Sequence, residues 1–294
     1  MRLFNYSNFH LLVILTLSAC SVQASELAKS VVIESPIPNN KPTSTNIESI
    51  YIDDFEIMMA LIPAGEFLMG TINGDVNTRP QHEVYLDSFY IDQTEITNYQ
   101  YSQCVKSQVC TQPLGIGSSS RSFYYSNLIY NFHPVINVTW EMALDYCEWR
   151  GARLPTEAEW EKASRGGIED KLYPWGDKNA DCSIVNYLSK SDFCIGDTTS
   201  VSSYPSNGYG LYDMAGNVWE WVADCYASDY YVASPDKNPP GPSCTGERVL
   251  RGGSWNDGLK FIQLTHRYSY PQDHRGFGLN FFGFRCARSI QAEQ

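Results

Sequence analysis

Asp213 and Glu220 stand on either side of Gly216-Asn217, a pair whose backbone tolerates positive φ and can fold the chain back tightly. Two carboxylates flanking a tight turn, with bent backbone between them presenting carbonyls, offer the hard oxygen donors that a calcium ion takes. Within the stretch Tyr209 to Trp221, Trp219 and Trp221 alternate with Glu220, so in an extended segment both rings point one way and the carboxylate the other. The plainer reading of the same spacing is a turn capped by Asp213 with two core tryptophans. His266, Asp273 and His274 supply two imidazoles and a carboxylate, the donor types of a facial iron triad. Beside Pro271, however, adjacent Asp273-His274 reads as an exposed loop with surface histidines.

The elements that must position these residues are few and short. Tyr51 to Met69 reads as one or two strands closed by Gly70, and His82 to Ile91 as another strand. Thr97 with Gln100 forms a capping box that opens a helix whose Tyr101, Cys104 and Val105 share a face. Thr139 caps a second helix in which Trp140, Ala143, Leu144 and Cys147 follow the helical period, ended by Gly151. Thr156 and Glu159 cap a third, ended by Gly166-Gly167. Beyond it the helical period disappears, with strands expected at Arg248–Leu250 and Phe281–Arg288.

The chain has 294 residues, 43% hydrophobic and 14% aromatic, with 20 Tyr, 7 Trp, 21 Gly and 15 Pro. This bounds it to one sizeable loop-rich α+β domain held by aromatic packing, plus a leader. The net charge of −12, with no basic stripe, excludes nucleic acid and anionic lipid surfaces as partners. Arg2 followed by the apolar run Leu11 to Ala19 reads as an export signal, too short to cross a bilayer as a helix, which takes about 20 residues. Leu17-Ser-Ala-Cys20 resembles the bacterial lipoprotein box, so residues 1–19 are expected to be removed and Cys20 lipidated; cleavage after Ala24 is the alternative. Ser21 after that cysteine resembles the pattern sorted to the outer membrane. Residues 20–49, polar and carrying Pro36, Pro38 and Pro42, form a tether, and residues 50–290 the domain. Either cleavage takes Cys20 out of the disulfide count, which leaves eight cysteines, none spaced as Cys-x-x-Cys, and an oxidising compartment makes four disulfides of them rather than a zinc site. Eight cysteines admit 105 pairings, among which spacing does not choose.

Ordered blocks run along the chain: Ile62-Pro-Ala-Gly-Glu-Phe-Leu-Met-Gly70, Arg153-Leu-Pro-Thr-Glu-Ala-Glu-Trp160, Tyr173-Pro-Trp-Gly176, the Tyr209–Trp221 stretch, Arg251-Gly-Gly-Ser-Trp255 and Gly283-Phe-Arg285. Together they resemble the formylglycine-generating enzyme (sulfatase-modifying factor) family over residues 50–288. The resemblance implies that family's variant of the C-type lectin fold. It also implies a Cys147–Cys286 disulfide; the remaining cysteines are expected to pair locally as Cys104–Cys110, Cys182–Cys194 and Cys225–Cys244.

For the site, the resemblance implies a structural calcium held by the Asp213 side chain, the carbonyls of Gly216 and Val218, and Glu220. It implies a second through the Asn186 side chain and the Tyr187 carbonyl, with further ligands near Asp192 to Ile195. The family's oxidases hold copper with two cysteines after the Gly-Gly-Ser block, because a soft monovalent ion needs thiolates. Here no cysteine lies between Cys244 and Cys286, so copper and formylglycine synthesis by that route are not expected. Trp219, Ser254 and Trp255 match positions that line the enzymes' substrate groove, and Tyr268 or Tyr270 could add aromatic walls suited to a peptide, glycan or protein partner. Arg251 and Arg285 are expected in buried ion pairs. Three readings follow: a lipid-anchored binding domain, which we favour; an exported oxidoreductase, like the family's siderophore-maturing members; and a surface-displayed variable lectin-like protein of the diversity-generating-retroelement type.

Overall fold

The computed structural model describes residues 49–189, 192–244, 246–273 and 279–290. The leader, Cys20, residues 21–48 of the tether and His274 lie outside the described residues. In chain order the strands are β1 (Ile50–Ile52), β2 (Met58–Ile62), β3 (Gly65–Met69), β4 (His82–Leu86), β5 (Phe89–Asp92) and β6 (Leu188–Ser189). They continue as β7 (Asp192–Phe193), β8 (Trp219–Cys225), β9 (Glu247–Arg251), β10 (Tyr268–Pro271), β11 (Phe282–Phe284) and β12 (Ala287–Ser289). The helices are α1 (Asn98–Lys106), α2 (Trp140–Trp149) and α3 (Glu157–Arg165).

Two four-stranded sheets carry the domain, ordered β1-β2-β5-β12 and β10-β9-β8-β11, with β3-β4 and β6-β7 as separate hairpins. The stretch from Tyr51 to Met69 thus holds three strands rather than one or two. His82 to Ile91 is split at Asp87-Ser88, so β4 stays in its hairpin while β5 crosses to the first sheet. Phe281–Arg288 is also two strands. β11 runs parallel to β8 in one sheet and β12 antiparallel to β5 in the other, with Arg285-Cys286 at the crossing. β10 was not anticipated. Trp221 sits opposite Leu250 of β9 and Phe284 of β11, and these rings with Tyr101, Tyr146 and Phe282 fill the larger core.

The helix starts are where the caps place them. Both capping boxes form, at Thr97/Gln100 and Thr156/Glu159, Thr139 accepts from Met142 N, and Gly166 ends α3 at φ 61°. The face of α2 is rotated from the expected one: Met142, Ala143, Tyr146 and Cys147 are buried, while Trp140 and Leu144 are half-buried. All nine residues of α3 are buried, five of them charged. Such burial is tolerated only when each charge has a partner. Glu157 takes Arg251 at 2.7 Å and both Nε and Nη2 of Arg267 at 2.7 and 2.8 Å. Glu161 takes Arg165 at 2.7 Å and Arg251 at 2.9 Å. Glu159 takes Arg153, and Lys162 donates to the Gly65 carbonyl at 2.7 Å.

The cysteines of the domain join as Cys104–Cys110, Cys147–Cys286, Cys182–Cys194 and Cys225–Cys244. No free thiol remains among the described residues.

Candidate functional site

Two neighbouring features carry the residues singled out from sequence: the turn before β8 and the aromatic surface beyond it. In the turn, Asp213, Gly216 and Asn217 all take positive φ, at 57°, 73° and 58°. Gly216 is required there, since a Cβ would run into the Asn186 carbonyl oxygen, which itself accepts from Asn217 N at 2.9 Å. The two segments expected to form separate calcium sites therefore pack directly on each other.

Both oxygens of Glu220 are taken: Arg285 donates to each at 2.7 Å, and Trp160 Nε1 donates to Oε2 at 2.8 Å. The Asp213 Oδ2 accepts from Ser202 N at 2.7 Å. A third carboxylate, Glu95, joins this neighbourhood, with Oε2 accepting from Asn217 Nδ2 at 2.8 Å and Oε1 buried without a partner among the described residues. Burial, and after it the charges of Asp213 and Glu220, pushes the Glu95 carboxyl well up. Burial, against a hydrogen bond from Ser202 and the charge of Arg285, brings the Asp213 carboxyl up to about 6. Three buried carboxylates share one guanidinium, an imbalance that a hard cation relieves. The carbonyls of Gly216 and Val218 accept no hydrogen bond among the described residues. The two free carbonyls and Asp213 Oδ1 are oxygen donors, the type that calcium takes and a soft metal does not, whereas both Glu220 oxygens already accept from Arg285 and Trp160. No group of three or more His, Cys, Asp or Glu among the described residues is arranged around a metal position.

The second expected calcium set is less complete. Asn186 Nδ2 donates to the Asp197 carbonyl at 2.8 Å, and its Oδ1 is buried without a partner among the described residues. The Tyr187 carbonyl already accepts from Cys194 N at 3.2 Å. The carboxylate of Asp197, whose carbonyl Asn186 holds, is itself taken by Ser118, Ser120 and Arg121.

Of the residues expected to line a cleft, Trp219, Ser254 and Trp255 are buried at 3%, 0% and 4% exposure, and Tyr268 shows 41% of its surface. Trp219 lies in β8 between β9 and β11, so its ring forms a floor, not an open wall. Over it lie Tyr268, with centroids 5.3 Å apart, and His266 at 5.9 Å; Phe261 meets the His266 edge at 5.0 Å. Burial, reinforced by the nearby Arg251 charge, lowers His266 to about 4, which makes it a neutral ring at physiological pH. Trp255 packs on Phe193 at 5.7 Å.

Asp257, to which the sequence attached no role, organises the floor. Its Oδ2 accepts from Trp219 Nε1 at 2.8 Å, Ser254 N at 3.1 Å and the Ser254 hydroxyl. The only signal for it was its place three residues after Ser254. Open grooves of about 460 and 490 Å³ lie elsewhere, beside Arg153 and Arg288 and beside His82 and Asp236.

Fold, ordered blocks and turn define a class, and comparison bears it out. The chain belongs to the sulfatase-modifying factor enzyme 1-like domain family (FGE-sulfatase), whose model matches residues 55–290. It is 38% identical over 253 residues to serine/threonine-protein kinase pkn1 of Chlamydia pneumoniae, a match covering 79% of this chain but 38% of that protein. It is 33% identical to the formylglycine-generating enzyme of Streptomyces coelicolor, over 77% of this chain and 87% of the enzyme. The mouse inactive C-alpha-formylglycine-generating enzyme 2 is 32% identical, over 79% and 85% of the two chains. Among solved structures, PvdO from Pseudomonas aeruginosa aligns at 26% identity and a TM-score of 0.67, over 86% of this chain and all of that one. Treponema denticola variable protein 1 aligns at 25% and 0.65, over 83% and 99%.

Proposed function

We propose that this chain is an exported, lipid-anchored binding domain, held at the outer membrane through Cys20 and facing the periplasm or the cell surface. It presents a calcium-stabilised aromatic surface to a peptide, glycan or protein partner and is not a formylglycine-generating oxidase. The observation that carries the reading is the engagement of all eight domain cysteines in disulfides, with Asp257 and no cysteine in the stretch after Ser254. A monovalent copper ion has no thiolate pair to bind there. What does face outward is aromatic: Tyr268 over Trp219, and Phe261 against His266.

Calcium bound through Asp213, the Gly216 and Val218 carbonyls and Glu220 would supply fixed positive charge to a buried acidic turn. In this reading it pins the turn before β8 and so the Trp219 floor. The domain, expressed with its disulfides, should select ligands from peptide and glycan arrays, lose them on Tyr268→Ala, and carry calcium with no redox metal by mass spectrometry. Conversion of a Cys-containing sulfatase peptide to its aldehyde would overturn the reading. Stoichiometric iron or copper is the sign of the oxidoreductase alternative, on which the likeness to PvdO is silent. That to the Treponema variable protein supports the displayed variable protein, for which a template repeat and reverse transcriptase beside the gene are the sign.

A further inference from the structure

Asp257 is a carboxylate with no counter-ion among the described residues. Burial raises its carboxyl above the usual range, and the groups that oppose this are the hydrogen bonds from Ser254 and Trp219, with no cation among them. Among the described residues the nearby cations are committed: Lys260 is held on Asp75 at 2.9 Å, and Arg251 on Glu157 and Glu161. All its hydrogen bonds among the described residues fall on Oδ2, which leaves Oδ1 free. Carrying a partly buried charge without a partner is costly, and a fold that keeps one gains when a cation arrives.

The surroundings select the kind of cation. Trp219, hydrogen-bonded to Asp257, lies under Tyr268 with ring centroids 5.3 Å apart, and Tyr270 follows at 6.5 Å from Tyr268. Neutral π faces beside a carboxylate attract a large, weakly hydrated organic cation and give little to a small hydrated metal ion. We propose that Asp257, Trp219 and Tyr268 form a subsite for an alkylammonium or guanidinium group, the head of a lysine or arginine side chain or of a quaternary amine. This rests on the binding reading above and specifies its ligand: a basic partner for an acidic chain.

The test uses the disulfide-bonded domain with choline, its neutral isostere 3,3-dimethylbutan-1-ol, and capped lysine and arginine amides, read by tryptophan fluorescence and calorimetry. Choline or a capped basic residue should bind at least about tenfold more tightly than the neutral isostere. Asp257→Asn should bring that ratio to near unity, while Asp257→Glu restores part of it. If Asp257→Asn fails to fold, the exposed Tyr268→Ala carries the same test, and the ratio should fall several-fold with the melting temperature unchanged. Equal affinity for choline and its isostere, or no binding of any cation, overturns the proposal. If arrays still select a neutral ligand that is lost in Tyr268→Ala, the binding reading stands and the cation assignment alone falls. If arrays select nothing, both fall.

Discussion

Arg285 grips Glu220 with two hydrogen bonds of 2.7 Å, both side chains buried, at the point where the chain passes from one sheet to the other. The same guanidinium donates to the carbonyls of Asp92 and Tyr212, at 3.1 and 2.9 Å. One side chain thus ties the end of β5, the loop before the turn and the start of β8. Replacing Arg285 by Met leaves Glu220 buried with Trp160 as its one remaining donor, which should cost about 3–5 kcal/mol. Urea unfolding checks this. A loss under about 1 kcal/mol would mean that the carboxylate is neutralised by other means.

Cys286, the next residue, is joined to Cys147 across 139 residues, whereas Cys104–Cys110 closes only 6. Loop-closure entropy makes the long link worth about 3 kcal/mol more than the short one. Replacing both cysteines of each pair by alanine, one pair at a time, should therefore lower stability far more for Cys147–Cys286, as measured by thermal and denaturant melts.

Gly216 is the position where the turn accepts no side chain. Gly216→Ala forces a Cβ into the Asn186 carbonyl at a φ of +73° and should lose more than about 2 kcal/mol. Gly258→Ala meets nothing within 4 Å and should be close to neutral. If the proposed calcium sits on this turn, Gly216→Ala should also weaken calcium binding in a titration, whereas Gly258→Ala should not.

Asp224 accepts from Glu157 N at the start of α3. Burial first, then the Glu157 charge, pushes its carboxyl up to about 8 from an ordinary 3.8. The folded-state pKa is raised, so its contribution to stability is whole below about pH 4 and is lost as the pH climbs toward 8. Asp224→Asn keeps an acceptor for Glu157 N and removes the titration. Between pH 4 and 8 the variant's unfolding free energy should decline less steeply than that of the parent. Parallel curves would show that Asp224 is ionised in the fold.

Much of the local structure was written in short-range chemistry. Thr97/Gln100, Thr156/Glu159 and Thr139 each start a helix because a hydroxyl in sequence reach satisfies a free N–H, and Gly166 stops one because it tolerates the left-handed conformation. The alternation Trp219-Glu220-Trp221 likewise set the two faces of β8, since side chains on a strand point to opposite sides whatever surrounds them. The ordered blocks carried the family.

Long-range assembly decided the rest. That Phe282–Phe284 and Ala287–Ser289 belong to different sheets depends on partners 63 and 196 to 200 residues away, Trp219–Trp221 and Phe89–Ile91. Glu95 carries no mark of its place beside Asp213 and Glu220, and Asp257 none of its bond to Trp219. The charges of α3 can be buried only because Arg251 and Arg267 arrive from a distant strand and loop. Sequence therefore determined what each segment prefers and which family the chain joins. The tertiary structure alone decided which charges meet, because the energy of a buried charge lies in partners the local chain does not contain.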